Sequence, residues 1–205
     1  MKVPSLNLYI VDDDKDVRDS LAALFIARGY RVQAFESGES FLANADIHLC
    51  GCVLLDIDMD PGMSGLNVFD ELLLQASPLI VTLLSGVLNV PTAAAYMERG
   101  VFYCLEKNCA ESVLLQRAEQ AMESAKILSE KLANKTDALK LWQTLTPSEK
   151  DVARVVRRGL LNKQSADNLG ISRRTVETHI SHISKTLPLR SPTALDRFMR
   201  ENDIE

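Results

Sequence analysis

The sequence predicts two domains: an α/β domain with a doubly wound, five-stranded parallel sheet, followed by a smaller all-α domain. Short apolar runs alternate with helical patterns through residues 1–121, as expected of repeated strand–helix units. Residues 144–205 carry helix caps and a turn glycine but no strand pattern. Charge divides in the same way: residues 1–121 hold 8 Lys and Arg against 17 Asp and Glu, and residues 140–205 hold 12 against 8. A basic second part indicates an anionic partner.

The first domain is predicted from five apolar runs and the helical segments between them. Strands are expected near 6–11, 31–35, 51–55, 78–83 and 101–105, and helices near 16–28, 38–45, 65–75, 91–99 and from 110 onward. Gly29 suits the end of the first helix and Ser37 the start of the second. Pro91 fits the first turn of the fourth. Five such units predict the doubly wound sheet.

The fifth helix has no evident end, because neither Pro nor Gly occurs between Glu111 and Trp142. One stripe along it has heptad spacing, with a lysine as its one charged member: Leu114, Ala118, Ala121, Ala125, Leu128, Leu132, Lys135, Leu139 and Trp142. This stripe either packs on the chain's own domains or pairs with a second copy as a coiled coil. The sequence leaves both interpretations open.

The all-α domain is predicted from local capping signals. In chain order these are a capping box at Thr146-Pro147-Ser148-Glu149, a short helix near Lys163–Leu169 ended by Gly170, a helix from Arg173 to about Thr186 capped by Ser172, and a last helix opened by Ser191-Pro192. A helix, a glycine-containing turn and a second helix form a helix-turn-helix.

Composition excludes some classes of protein. No apolar run is long enough to span a bilayer, and the first residues lead into a strand and not a signal peptide, so we expect a cytoplasmic protein. Cys50, Cys52, Cys104 and Cys109 show neither CxxC nor Cys/His metal spacing. We expect buried free thiols in preference to a redox pair.

Charged residues follow three of the predicted strands. Asp12 and Asp13 end the first apolar run, Asp56 ends the third, and Lys107 closely follows the fifth. The carboxyl ends of parallel strands meet at one edge of a sheet, where ligands bind. Clustered carboxylates and one amine at that edge suit Mg²⁺ and a phosphoryl group, because hard cations prefer oxygen ligands.

These residues resemble a known family. Residues 1–121 resemble the receiver domain of two-component response regulators, of flavodoxin-like fold, and residues 144–205 resemble the LuxR/FixJ-type DNA-binding domain, with 122–143 as a helical linker. The second resemblance rests on Leu145-Thr146-Pro147-x-Glu149, Gly159-Leu160-x-Asn162-Lys163 and Gly170-Ile171-Ser172-x-Arg174-Thr175-Val176-Glu177-x-His179. It implies a transcription factor, not an enzyme, controlled by a sensor histidine kinase.

The resemblance also implies roles for individual residues. Asp56 would be the phosphoacceptor, and Mg²⁺ would be held by Asp12, Asp13, Asp56 and the backbone carbonyl of Asp58. Lys107 would pair with the phosphoryl group. Ser85 stands where the family has a hydroxyl that bonds the phosphate.

Three features depart from the family pattern. The stretch from Asp56 to Gly65 holds one extra residue, Asn108 replaces the usual proline after Lys107, and Cys104 stands at the position of a rotating aromatic. We expect a trans Lys107–Asn108 bond, because a cis bond before a non-proline residue costs about 2.5–4 kcal/mol. These departures keep a phosphorylation-independent pseudo-receiver open as an alternative. A haloacid-type phosphatase, with Asp58 as general acid, is the remote one.

The predicted second helix of the helix-turn-helix should read DNA. Val176, Ile180 and Ile183 recur at core spacing, which leaves the polar face outward. By resemblance, Glu177, Thr178 and Ser181 match positions that touch base edges. The phosphate-contact candidates are Lys163, Arg173, Arg174, Thr175 and Lys185, and His182 lies on a flanking face. The predicted partners are double-stranded DNA, a histidine kinase and a second copy of the chain, with RNA polymerase as a further candidate.

Overall fold

The computed structural model describes residues 6–189 and 194–205 of the chain. In these ranges the elements are β1 (Asn7–Val11), α1 (Lys15–Ile26), β2 (Arg31–Phe35), α2 (Gly38–Asn44), β3 (Gly51–Asp56), α3 (Gly65–Leu74), β4 (Leu79–Ser85), α4 (Val90–Glu98), β5 (Tyr103–Glu106), α5 (Glu111–Thr144), α6 (Pro147–Val156), α7 (Asn162–Leu169), α8 (Arg173–Thr186) and α9 (Ala194–Glu201). The predicted Ser191-Pro192 helix start lies outside the described residues. The described residues form two compact units, which divide between Glu130 and Lys131.

The first unit is the predicted five-stranded parallel sheet, with strand order β2-β1-β3-β4-β5. Alternate residues of its central strands enter two different cores. Tyr9 and Val53 face α2 and α3, whereas Leu8 and Leu54 face α1 and α5. The central strand β3 is buried at every residue, as expected when helices cover both faces.

Side-chain caps begin the helices of this unit where the sequence indicated them. Ser37 accepts the amide of Ser40 at the start of α2, and Pro91 lies in the first turn of α4. Asp14 caps α1 by accepting from the amides of Asp16 and Val17. Local hydrogen bonding therefore sets these helix starts.

Strand β5 begins later than predicted. The apolar run starts at Val101, but the Val101 amide donates to the Tyr96 carbonyl at the end of α4 and not to the sheet. Hydrogen bonding to β4 begins at the Phe102 amide, which donates to the Val81 carbonyl at 2.8 Å, and the strand runs from Tyr103 to Glu106. The apolar run therefore predicts which residues are buried, whereas the hydrogen bonds to β4 determine where β5 begins.

Helix α5 contributes to the core of each unit. Leu114, Ala118 and Ala121 are buried in the first core. Ala138 and Trp142 are buried in the second. The first part of the predicted heptad stripe thus packs on the chain's own sheet. Among the helices of the described residues, none combines the length and apolar character that crossing a bilayer requires.

The second unit is a small helical core with the predicted helix-turn-helix. Val152, Val176 and Ile183 are buried in it. Glu149 and Thr146 form the capping box of α6. Gly170 ends α7 in the left-handed region, with φ of 66°, a conformation that glycine adopts without strain.

Candidate functional site

The sheet brings its charged residues to one edge. Asp12 follows β1, Asp56 ends the adjacent β3, and Lys107 follows β5. The Lys107 amide donates to the Ser85 carbonyl at 2.8 Å, which continues the ladder one residue past β5. Parallel topology therefore assembles the predicted acidic site.

Lys107 bridges two buried carboxylates. Its Nζ lies 2.8 Å from Asp12 Oδ2 and 2.9 Å from Asp56 Oδ2, and both aspartates are 0% exposed. Burial raises the pKa of the Asp56 carboxyl; Lys107 opposes that rise and the charge of Asp12 adds to it. Burial works to lower the pKa of Lys107, but the two carboxylates outweigh it and raise that pKa. The ammonium thus partly compensates two like charges held close together.

The carboxylates also have the arrangement of a cation site. Asp12, Asp13 and Asp56 each offer one ligand oxygen, and these oxygens lie within 4.8 Å of one another. Asp12 Oδ2 and Asp56 Oδ2 are buried and, apart from the Lys107 ion pairs, have no partner among the described residues. Receiver domains bind Mg²⁺ at such an acidic pocket, and these oxygens fit that hard cation.

Backbone contacts fix the Asp12 end of the site. The Asp14 amide donates to Asp12 Oδ1 at 2.9 Å, and the Arg18 guanidinium donates to the Asp12 carbonyl at 2.6 Å. Arg18 was not predicted, because nothing in the sequence marks a helix residue that turns back to the preceding strand.

The loop after Asp56 is held at several points. The Asp58 amide donates to Asp56 Oδ1 at 3.3 Å, and the Asp60 amide to Asp13 Oδ2 at 3.4 Å. On the far side, Glu39 accepts the Met63 amide at 2.8 Å. Glu39 was also missed, since its only signal is its place in the first turn of α2.

Gly65 lets α3 begin directly beside Asp56. A Cβ at this position would lie 2.0 Å from the Asp56 carbonyl oxygen, closer than any side chain tolerates. The Gly65 amide also donates to the Ile57 carbonyl at 3.0 Å. Only glycine fits this close approach of two backbone segments.

The residues around the expected switch make hydrogen bonds and contacts of their own. The Ser85 hydroxyl donates to the Val87 carbonyl at 2.8 Å. Cys104 is half-buried beside α4, with its Sγ 3.9 Å from the Ala93 carbonyl oxygen. The neighbouring Tyr103 bonds Gln120 at 2.9 Å, with the Arg117 guanidinium 4.7 Å from its ring centroid. Tyr103 is therefore clamped to α5.

The Lys107–Asn108 bond is trans, as expected, and the one cis peptide bond in the described ranges joins Asp60 and Pro61. All four cysteines are free. Cys52 is buried, but the expectation of burial is wrong for Cys50, Cys104 and Cys109, which are half-buried. Cys50 and Cys109 lie outside the strands, and Cys104 lies on β5, an edge strand of the sheet. Burial raises the pKa of the Cys52 thiol to about 12.

Helix α8 presents the polar face that the sequence predicted. Val176 and Ile183 are buried and Ile180 packs beside them, while eight of the nine candidate DNA contacts are exposed and Thr175 is half-buried: Lys163, Arg173, Arg174, Glu177, Thr178, Ser181, His182 and Lys185. Five of the nine side chains have partners within the described residues. Glu177 pairs with Arg173 at 2.8 Å, and the Thr175 hydroxyl lies 2.8 Å from that of Ser172. The Thr178 hydroxyl donates to the Arg174 carbonyl at 2.9 Å, and His182 Nδ1 lies 3.4 Å from Glu149 Oε1.

Comparison with known proteins matches both units. A family model described as response regulator receiver domain matches residues 8–119. A model described as bacterial regulatory proteins, luxR family, matches residues 143–199.

Named relatives align over nearly the whole chain. The tetrathionate response regulatory protein TtrR of Salmonella typhimurium is 33% identical, over 93% of this chain and 90% of its own. The C4-dicarboxylate transport transcriptional regulatory protein DctR of Rhodobacter capsulatus is 34% identical, over 95% and 99%.

Solved structures of response regulators align equally widely. StyR has a TM-score of 0.82 at 29% identity, over 96% of this chain and 99% of that one. Full-length FixJ from B. japonicum has a TM-score of 0.56 at 29% identity, over 96% and 97%. With a receiver domain in front and a LuxR-type helix-turn-helix behind, the chain belongs to the FixJ/LuxR-type family of transcriptional response regulators.

Proposed function

We propose that Asp56 is the phosphoacceptor through which a sensor histidine kinase controls DNA binding by this regulator. The carrying observation is the bridge from Lys107 Nζ to the buried carboxylates of Asp12 and Asp56. A buried carboxylate with a compensating ammonium beside it is held ready for attack and for the charge that arrives with the phosphoryl group.

In the proposed transfer, one carboxylate oxygen of Asp56 attacks the phosphorus of a phosphohistidine. A P–O bond forms, the P–N bond breaks, and the imidazole leaves with a proton. Lys107 Nζ, 2.9 Å from Asp56, then pairs with the phosphoryl oxygens. The Asp58 amide, already donating to Asp56 Oδ1, keeps the carboxylate oriented.

We propose Mg²⁺ as the cofactor, held by Asp12, Asp13, Asp56 and the backbone carbonyl of Asp58. When bound, the ion would neutralise charge that otherwise repels an anionic donor from Asp56. The buried Oδ2 atoms of Asp12 and Asp56, whose only partner among the described residues is Lys107, support this assignment. The added acids Asp58 and Asp60 lie on the same loop and should strengthen cation binding.

Intact mass spectrometry tests the acceptor. Wild type, Asp56→Asn and Asp58→Asn are incubated with Mg²⁺ and a small acyl-phosphate donor. One added phosphoryl group in wild type and Asp58→Asn, and none in Asp56→Asn, is expected. Equal labelling of all three would refute the assignment. Release of free phosphate from a generic ester would instead revive the phosphatase alternative, which we do not favour.

A pseudo-receiver is the second candidate, and the switch residues favour it. The Ser85 hydroxyl is bonded to Val87, Cys104 carries no ring, and Tyr103 is clamped by Arg117 and Gln120. The coupling between a hydroxyl and an aromatic ring that is usual in the family is therefore not formed here, because the hydroxyl bonds Val87 and position 104 has no ring. An unlabelled wild type that still binds one DNA sequence specifically would establish this candidate.

The helix-turn-helix is proposed to place α8 in the major groove. Glu177, Thr178 and Ser181 would touch base edges, and the exposed basic residues of α7 and α8 would contact phosphates. A single helix-turn-helix reads few base pairs, so we propose a homodimer on two half-sites about one helical turn apart. We propose a cytoplasmic location, since the DNA that it would bind lies there, and RNA polymerase as a further candidate partner.

Selection from a random duplex library tests DNA reading and symmetry. An enriched inverted repeat, and a doubled mass by analytical ultracentrifugation after phosphorylation, are expected. A variant with Thr178→Ala should lose discrimination at one position of each half-site, by about 1–3 kcal/mol. No enriched sequence would overturn the proposal.

A further inference from the structure

Glu149 of α6 and His182 of α8 form a contact that capping alone does not require. Glu149 Oε2 accepts two hydrogen bonds from Thr146, one from the Thr146 amide at 2.8 Å and one from the Thr146 hydroxyl at 2.9 Å. The other oxygen, Oε1, lies 3.4 Å from His182 Nδ1. Glu149 therefore uses one carboxylate oxygen to cap α6 and the other to contact α8.

Burial differs sharply across this contact. The Glu149 side chain is only 11% exposed, whereas the His182 side chain is 63% exposed. The hydrogen bond from the Thr146 amide lowers the pKa of the Glu149 carboxyl the most, burial opposes it, and the Thr146 hydroxyl lowers it further. The net effect is a lowered pKa. Glu149 is thus a largely buried anion in contact with a solvent-facing imidazole.

The two nitrogens of an imidazole face different directions, and the partner of one fixes the state of the other. With Nδ1 toward Glu149, Nε2 is the nitrogen left for an outside group. We propose that Glu149 is a positioning residue that orients His182 so that its Nε2–H donates to a DNA phosphate. This inference rests on the proposed DNA-binding function.

A phosphate suits this site better than a base edge or a metal. An imidazolium between the Glu149 carboxylate and a phosphate would have an anion at each nitrogen, with both N–H groups donating. The one cluster of three metal-ligating side chains found among the described residues is the Asp12 group, so His182 lacks the ligands of a metal site there.

Salt dependence of DNA binding tests the inference on the full-length chain. The probes are a mixed-sequence 30-base-pair duplex and the duplex enriched by selection. His182→Phe keeps a planar ring without nitrogens, and Glu149→Gln keeps an acceptor for Thr146. Each variant should bind about tenfold more weakly and lower the slope of log K against log salt by about 0.9 per bound protomer. The double variant should lose no more DNA affinity than either single variant.

His179→Phe is the matched control, because His179 lies three residues away on the same helix and makes no ion pair in the described part of the chain. Its slope should equal that of wild type. By NMR, the His182 Nε2–H should show a hydrogen bond to phosphate in the DNA complex of wild type but not in that of Glu149→Gln.

An unchanged slope in His182→Phe would overturn the inference while leaving DNA binding intact. Failure of wild type to bind DNA at all would refute the proposed function instead. If Glu149→Gln does not fold, the slope of His182→Phe and the NMR signals of wild type still decide.

Discussion

Removing the charge of the proposed acceptor should stabilise the first unit. Asp56 is completely buried, and its carboxylate is attracted to Lys107 at 2.9 Å and repelled by Asp12. At an effective dielectric constant of about 20, the attraction is worth about 6 kcal/mol. Repulsion between the Asp56 and Asp12 carboxylates, taken at 4.8 Å, the upper limit on the separation of the ligand oxygens, is worth roughly 3.5 kcal/mol.

The remaining attraction, about 2 kcal/mol, does not offset the several kcal/mol that burying a carboxylate costs. Asp56→Asn is neutral and can still accept the Asp58 amide. We therefore expect it to raise the free energy of unfolding of this unit by about 2 kcal/mol at pH 7 without Mg²⁺. Asp13→Asn, at an exposed carboxylate of the same site, should change it much less.

The pH dependence has a definite sign. The pKa of Asp56 is higher in the folded protein than in the unfolded chain. The charged carboxylate therefore lowers the free energy of unfolding at pH values above the folded pKa, and this effect vanishes as the pH falls below the ordinary value of 3.8. The advantage of Asp56→Asn should vanish over the same window. Added Mg²⁺ at ten times its Kd should stabilise wild type by about 1.4 kcal/mol and neither variant.

Hydrogen exchange of the slowest β1 and β3 amides measures this unit separately from the second core. A less stable Asp56→Asn at pH 7, or an advantage that persists unchanged below pH 3.8, would refute the electrostatic reasoning.

Three further outcomes are expected. Gly65→Ala should destabilise the first unit and abolish labelling of Asp56, because its Cβ would overlap the Asp56 carbonyl; normal labelling would show that the backbone can shift. Leu161 begins α7 without a side-chain cap, so Leu161→Ser should stabilise the second unit by about 1 kcal/mol in denaturant melts followed by tryptophan fluorescence, and no gain would mean that the new hydroxyl misses its amide. Cys52, with its pKa raised to about 12, should resist alkylation at pH 8 while half-exposed Cys109 reacts, and equal rates by peptide mapping would contradict its burial.

The sequence determined the features that depend on near neighbours or on strand order. The caps at Ser37 and Thr146 are local hydrogen bonds, so residue type and spacing predict them. Asp56 and Lys107 meet because parallel strands bring their carboxyl ends to one edge, whatever the loops between them do.

The tertiary structure alone decided which distant side chains support these residues. Glu39 holds Met63, Arg117 holds Tyr103, and Glu149 contacts His182, each across elements that the sequence does not register against one another. Hydrophobic periodicity fixes which face of a helix is buried, but not its rotation or height over its neighbour to within a hydrogen bond. Such contacts depend on differences of about an ångström in packing, which only the folded chain sets.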